Sequence, residues 1–439
     1  MTATSAATRA IPRRAVASWV LYDLANTIFS MGVVSMFFSE YVRDSVGERD
    51  ADWVYGLITA LSMGIIFVIS PLLGSMTDRA RRRMPFLVWS TIICCACTAL
   101  LARGPFAISA ILFVVANAAY QAGLQFYDAL LPEVTTEENR GRISGIGVGV
   151  GYLGSYLALA AGFVVPPENK ALLFLLIALL FLTFAIPCFL FVRDRINPRP
   201  RKLLGWDAVT ESTRQTAEAL RNGQRYPGLL RFLIGRVFYT DAINTVISYM
   251  FLYTINVSLS NGLTEAQGAT QARLVMLIAI TFAVVGGLVW GRLVDRYGPK
   301  RTLTLVLYLW MATFTLAVAI GLFTLPVVLL FVVASAAGVA MGGTWAADRP
   351  YMLRLTPPDR VGEFYGLYGM VGRFSAISGP ILWAATYYVL VTRGGMAPVR
   401  GQAVAVSTLL AMVIISYAIL RPVTDERRDW RALGALPTN

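Results

Sequence analysis

The sequence predicts an all-α membrane protein of twelve transmembrane helices in two pseudo-symmetric six-helix halves. Three observations lead there. The 439 residues are 56% hydrophobic and only 14% charged, with mean hydropathy +0.62, whereas soluble domains carry about a quarter charged residues. About twelve apolar stretches of roughly 18 to 27 residues follow one another, each long enough to cross ~30 Å of hydrocarbon as a helix. Finally, a polar pattern in the first half of the chain returns in the second.

The stretches lie near residues 16–42, 52–76, 85–102, 105–131, 143–165, 170–193, 228–258, 267–290, 299–321, 325–350, 361–390 and 401–420. Numbering them in order sorts the basic residues. Of 38 Lys and Arg, counting those in a span's end turns with the nearer side, 27 fall on the side of the termini, seven on the other, and four are left within spans: Arg231, Arg236, Arg349 and Arg373. Positive charge collects on the cytoplasmic side of membrane proteins, so both termini are expected in the cytoplasm. The net charge of +13 therefore reports topology and not a nucleic-acid partner. The first span is too long for a cleaved signal and carries Asp23 within it. Arginine outnumbers lysine 35 to 3, a bias that suggests a GC-rich bacterium and hence an inner (plasma) membrane.

The chemistry of several function classes is missing. Histidine is absent, and the four cysteines, Cys94, Cys95, Cys97 and Cys188, all sit inside apolar spans. No zinc motif or phosphate loop occurs, so neither an enzyme nor a resident metal or cofactor is expected.

The repeat locates the organisation. "DLANTIFS" at 23–30 matches "DAINTVIS" at 241–248 as D-x-x-N-T-x-x-S, 218 residues apart. "GSMTDR" at 74–79 matches "GRLVDR" at 291–296, and Asp128 before "LPEVTTEENRGRISGIG" matches Asp348 before "LRLTPPDRVGEFYGLYG". Three motifs in one order at nearly constant offset divide the chain into residues 1–193, a cytoplasmic linker 194–226, and residues 227–439. Six spans per half is an even number, so the halves run parallel about an axis along the membrane normal. Within the linker, Trp206, Val209, Ala217 and Leu220 either mark the apolar face of an interfacial helix or belong to a solvated connector.

These residues resemble the major facilitator superfamily over nearly the whole chain. "GSMTDRARRR" and "GRLVDRYGPKR" look like its cytoplasmic signature, G-x-x-x-D-R-x-G-x-[RK]-[RK]; the first copy departs with Arg81 where the signature has Gly. More narrowly, "WVLYDLANTIF", "YDALLPEVTTEENRGRISGIGVGVGYLG", "YPGLLRFLIGRVFYTDAINTVI" and "EFYGLYGMVGRFSAISGP" resemble the vacuole-effluxer-like branch, with Thr27 and Ala242 as departures. That branch includes autophagy-linked vacuolar amino-acid exporters and bacterial permeases. The resemblance implies a secondary transporter whose central cavity is lined by helices 1, 4, 7 and 10.

Ionisable side chains in hydrocarbon cost at least about 2.5–3.5 kcal/mol and mark a cavity or a partner. In the first span Asp23, Asn26, Thr27 and Ser30 share one helical face, and in the seventh Asp241, Asn244, Thr245 and Ser248 repeat it beside Tyr239. The fourth span presents Gln121, Gln125 and Asp128, and the tenth Trp345, Asp348 and Arg349. Depth suggests cargo or ion contacts for Asp23, Asn26, Ser30, Gln121, Gln125, Tyr239, Asp241, Asn244, Trp345 and Arg373. It suggests gating for Asp128, Asp348 and Arg349 near the cytoplasmic end. Each polar face has a plainer alternative, hydrogen bonding between neighbouring helices. Arg373 is expected at mid-bilayer, paired with Asp241 or meeting a cargo carboxylate, while Arg236 and Arg231 are expected to snorkel.

The loop signatures carry a separate expectation. Asp78 and Asp295 can accept hydrogen bonds at a neighbouring helix N-terminus, with Arg79 and Arg296 holding opposing carboxylates and Gly74 and Gly291 allowing close approach. Together these make a gating latch for alternating access. Four acids set against Arg349 and Arg373 suit a small polar or zwitterionic metabolite, an amino acid first, in a lipid environment. A coupling proton would fall to Asp23 or Asp241. Two other readings stand beside it: an exporter of amphipathic drugs or lipids lined by Phe29, Phe37, Phe38, Tyr120 and Tyr127, and a non-transporting scaffold or sensor.

Overall fold

The computed structural model describes residues 11–197, 200, 214, 221, 225–430 and 432–433. The linker face proposed on Trp206, Val209, Ala217 and Leu220 lies outside the described residues. Twelve long helices fill the rest: α1 (Arg13–Val46), α2 (Glu48–Arg79), α3 (Met84–Ala99), α4 (Phe106–Asp128), α5 (Arg140–Val164), α6 (Lys170–Phe191), α7 (Leu229–Ser260), α8 (Glu265–Tyr297), α9 (Pro299–Phe323), α10 (Leu329–Arg354), α11 (Val361–Arg393) and α12 (Pro398–Leu420). Eleven of them are long and apolar enough to cross a membrane. The 16 residues of α3 span about 24 Å, so this helix falls slightly short. α1 is not uniform: residues Ser30–Phe37 are wound as a π-helix, which widens the turn just beyond the polar face.

Helix ends follow local chemistry. Thr264 and Gln267 form a capping box that starts α8. At the other end Gly298, at φ +85°, stops α8, and Pro299 opens α9. In the first half, Arg81 stands where that glycine would be, and the turn is made differently: α2 ends with Ala80 in an extended conformation.

The halves meet along two seams, α2 against α11 and α5 against α8. Both seams are backbone close to backbone. A methyl group added at Gly291 would sit 2.8 Å from the Gly141 carbonyl oxygen and 3.0 Å from the Gly145 Cα. One added at Gly74 would strike the Gly362 carbonyl.

Within the first half, Trp19 stacks on Tyr127 with ring centroids 4.5 Å apart, and its indole N–H points at the Tyr127 carbonyl, 3.4 Å away. This contact fixes α1 on α4 and brings Asp23, one turn beyond Trp19, towards Asp128, next to Tyr127. α5 makes room for the acid: a methyl at Gly147 would lie 3.1 Å from Asp23 Oδ2.

Substituting Gly291→Val is expected to force α5 and α8 apart at a cost of about 1–3 kcal/mol. Thermal unfolding of the purified protein in detergent should register it as a lower Tm. An unchanged Tm would mean that the seam is not needed for stability.

Candidate functional site: a charged cavity between the halves

Two sets of hydrogen bonds join the halves at the end that carries the termini, and both use the signature aspartates. Asp78, at the end of α2, accepts hydrogen bonds from the Gly362 and Glu363 backbone N–H groups at the start of α11, each at 2.8 Å. Asp295, at the end of α8, accepts from Gly141 N at 2.6 Å and Arg142 N at 3.0 Å at the start of α5. An anion at a helix N-terminus satisfies free N–H groups and meets the positive end of the dipole. The cation on Asp78 is Arg83, at 2.7 Å, and Arg296 lies over the Tyr297 ring, 5.3 Å from its centroid. Outside the seams, Glu137 adds a further bridge to Arg354 at 3.4 Å and to Arg427 at 2.8 Å.

Above the latches a cavity of about 450 Å³ lies between the halves. Of the residues expected to touch cargo or ion, Asp23, Asn26, Ser30, Gln121, Gln125, Asn244, Trp345 and Arg373 line it, joined by Asp128 and Arg349. Tyr239 and Asp241 lie outside its wall. The Tyr239 hydroxyl donates instead to Asp348, and Asp241 accepts from Ser378 Oγ at 2.6 Å. The repeated face on α7 therefore contributes Asn244 to the cavity and keeps its acid in the packing.

Three charged groupings organise the site. In the first, Arg349 of α10 crosses to the other half. Its Nη1 donates to Asp23 Oδ2 at 2.8 Å and its Nη2 to Asp23 Oδ1 at 3.3 Å. Its Nε lies 3.0 Å from Asp128 Oδ1. One guanidinium thus serves two carboxylates. The pseudo-symmetry is broken here, because the residue after Asp128 is Ala129 where the residue after Asp348 is Arg349.

The second grouping stays inside the second half and corrects the expectation that Arg236 snorkels. Arg236 is 4% exposed; its Nε donates to Asp348 Oδ2 at 3.0 Å and its Nη1 to the Tyr368 carbonyl at 3.0 Å. Its plane lies 3.6 Å from the Tyr368 ring centroid, and the Tyr368 hydroxyl donates to Asp348 at 2.7 Å. Asp348 is thereby saturated and ties α7, α10 and α11 together. Its expected gating position at the mouth gives way to a structural ion pair.

The third is Arg373, and here the structure replaces the expected Asp241 partner. Nη1 donates to Ser70 Oγ at 2.8 Å and Nη2 to the Gln121 carbonyl at 2.6 Å, both in the opposite half. Nε is buried without a hydrogen-bond partner. Both Asn26 side-chain amide atoms are likewise buried and unpartnered, facing the same cavity. Ser70 escaped the sequence reading because α2 is not among the helices implied to line the cavity. Its position before Pro71, where a helix loses a backbone hydrogen bond, was the available signal.

Tyr120, Tyr152, Trp345 and Tyr368 bring aromatic rings to the cavity wall, while the other aromatics considered for an amphipathic cargo pack elsewhere. Phe38 stacks on Phe113 at 3.9 Å, Phe29, Phe37, Phe38 and Tyr127 are buried in the first-half core, and of the five only Tyr120 reaches the cavity.

The family model described as "Vacuole effluxer Atg22 like" matches residues 39–388. The chain belongs to the Atg22-like vacuole effluxer family. It is a membrane transporter of the major facilitator superfamily and not an enzyme, as the relatives and fold neighbours of this family agree. An MFS-type transporter of Bacillus subtilis, itself uncharacterized, is 26% identical over 93% of this chain and 94% of its own length. Autophagy-related protein 22-1 of Neosartorya fischeri is 27% identical over 67% of this chain, which spans half of that fungal protein. Among solved structures, the human organic anion transporter MFSD10 superposes with TM-score 0.68 at 17% identity, covering 93% of this chain and 99% of that one. A bacterial homologue of ferroportin in its outward-facing state gives TM-score 0.67 at 16% identity over 96% and 99% of the two chains. These two establish a shared fold for this Atg22-like transporter.

Removing Arg236 as Arg236→Ala leaves Asp348 charged and buried, which is expected to cost about 3–5 kcal/mol. The double variant Arg236→Met with Asp348→Asn should recover most of it. Thermal unfolding of the three proteins in detergent tests the assignment, and equal Tm values for wild type and Arg236→Ala would overturn the structural role given to this pair.

Proposed function

We propose that this chain is a secondary transporter that carries a small zwitterionic metabolite, an amino acid foremost, between its halves by alternating access. The observation that carries the reading is the charge pattern of the cavity. Asp23, Asp128 and Arg349 together bear one excess negative charge, Arg236 and Asp348 cancel, and Arg373 bears one positive charge with no described carboxylate beside it. A bipolar chamber of about 450 Å³ complements an ammonium at one end of a small molecule and a carboxylate at the other. Guanidinium binds carboxylate through paired, directional N–H groups, and a cavity of this size falls within the range of small-ligand sites.

In the proposed cycle the end carrying the termini faces the cytoplasm, following the positive-inside pattern. The Asp78 and Asp295 latches then hold that side shut while the cavity serves the other side. Opening it requires the latches, the Arg349 clasp and the Arg373 bonds to Ser70 and Gln121 to part. Efflux is the direction favoured by the family description, and a bacterial plasma membrane by the arginine-rich composition. The wall mixes its polar groups with Leu124, Val148, Tyr152 and Trp345, so an exporter of amphipathic drugs or lipids stands as the second reading.

The test is uptake of radiolabelled amino acids into proteoliposomes, with and without a proton gradient. Flux of at least one amino acid is expected. Arg373→Ala should lower its apparent affinity by about 10- to 100-fold, the worth of a charged hydrogen bond, with little change in thermal stability. Flux of lipophilic cations in place of amino acids would favour the drug reading, and no flux of any cargo would favour a scaffold.

A further inference from the structure

We infer that Asp241 holds a small monovalent cation, of sodium's size and charge, between α7 and α11 beside the central cavity. The site does not depend on which cargo the cavity takes, and its test uses none.

Asp23 and Asp241 are the symmetric acids of the D-x-x-N-T-x-x-S repeat. The first has its cation in Arg349, 2.8 Å away. Among the described residues no Lys or Arg forms an ion pair with the second. The buried guanidiniums of the two helices that enclose it are turned elsewhere, Arg236 to Asp348 and Arg373 to Ser70 and the Gln121 carbonyl. Yet Asp241 is only 2% exposed, a setting in which an uncompensated carboxylate is costly.

The oxygens around it are arranged for a guest. Ser378 Oγ on α11 donates to Asp241 Oδ2 at 2.6 Å. Oδ1 is buried without a hydrogen-bond partner, and so is the Thr245 hydroxyl one turn along α7. In the first half the equivalent Thr27 bonds back to the Asp23 carbonyl at 3.1 Å; Thr245 makes no such bond. Its oxygen and Oδ1 converge instead, since a methyl built on Gly379 of α11 would lie 2.0 Å from Thr245 Oγ1 and 2.2 Å from Asp241 Oδ1. A proton on Oδ1 would find no acceptor in hydrogen-bonding geometry, whereas a hard cation binds carboxylate, hydroxyl and carbonyl oxygens together. The Ser378 hydroxyl keeps its lone pairs while it donates. Pro380 has no N–H, so the carbonyl of residue 376 goes without its helical donor and adds a further ligand of the kind transporters use for sodium.

Charge selects the ion. One carboxylate balances one positive charge, and no cluster of three acids that could hold a divalent metal occurs among the described residues. The crowding of the oxygens favours sodium or lithium over the larger potassium. Away from the termini, Tyr249 stacks on Trp383 with centroids 4.9 Å apart and covers the site. Towards the termini, Thr240 donates to Ser375 at 2.8 Å. Thr240 and Asn244 line the cavity, so the ion enters from there. A filled site then sets α11 against α7, and with it Arg373 on the cavity wall.

The experiment measures binding of radiolabelled sodium to the full chain in nanodiscs, with choline chloride holding ionic strength constant, and thermal unfolding in parallel. One saturable site per chain is expected, displaced by lithium and not by potassium, together with a Tm that rises with sodium. Asp241→Asn should abolish both effects, as should Gly379→Ala, whose methyl occupies the pocket. Thr245→Val should raise the sodium Kd about tenfold, which provides a second route if Asp241→Asn fails to fold. Asp23→Asn should leave sodium binding in place, because that acid has Arg349. Absence of saturable sodium binding from pH 6 to 9, binding that survives in Asp241→Asn or is unchanged in Thr245→Val, or displacement by potassium as readily as by lithium would each overturn the inference.

Discussion

The contact between Arg349 and the carboxylates of Asp23 and Asp128 is the constraint around which the rest is arranged. It joins α10 of the second half to α1 and α4 of the first. A buried ion pair repays its desolvation only when geometry is good, and the surroundings supply that geometry. The Trp19–Tyr127 stack sets the spacing of the two acids. Gly147 leaves room for one of them. The Arg236–Asp348–Tyr368 grouping fixes the base of α10 from which Arg349 extends. The seams then decide how far the halves can approach, and the helix-end latches add directional bonds that part with little rearrangement.

Much of this architecture was legible from the residues alone. Hydropathy and the D-x-x-N-T-x-x-S repeat carry the helix count and the two halves, because membrane insertion and duplication write directly into residue order. The Asp78 and Asp295 caps were legible for a similar reason. An aspartate at one helix end that meets the free N–H groups at another helix's start follows from local backbone geometry, which varies little.

Partnership was not legible. A sequence gives depth along a helix and angle around it, yet two residues at one depth may sit on opposite sides of a neighbour. Arg373 and Asp241 share a depth, but α11 turns Arg373 towards α2 and α4 while Asp241 settles against Ser378. Arg236 stands near the cytoplasmic end by count and looked free to reach water; a carboxylate and a ring on two other helices hold it instead. Asp348 was read with Arg349 as one gating unit because they are adjacent. Successive helix residues point about 100° apart, and that angle sends them to different halves.

The glycine-lined seam between α5 and α8 carries a consequence for speed. Where large side chains interlock, moving one helix past another demands that many rotamers change together. Here carbonyl oxygens and Cα atoms face each other over much of the contact, and few side chains, Val294 and Leu288 among them, press across it. Such a seam behaves as a bearing: it bears load without setting a barrier. In the proposed cycle the pace of rocking would then fall to a handful of polar contacts at its ends, each of which a single substitution can adjust without redesigning the helices themselves.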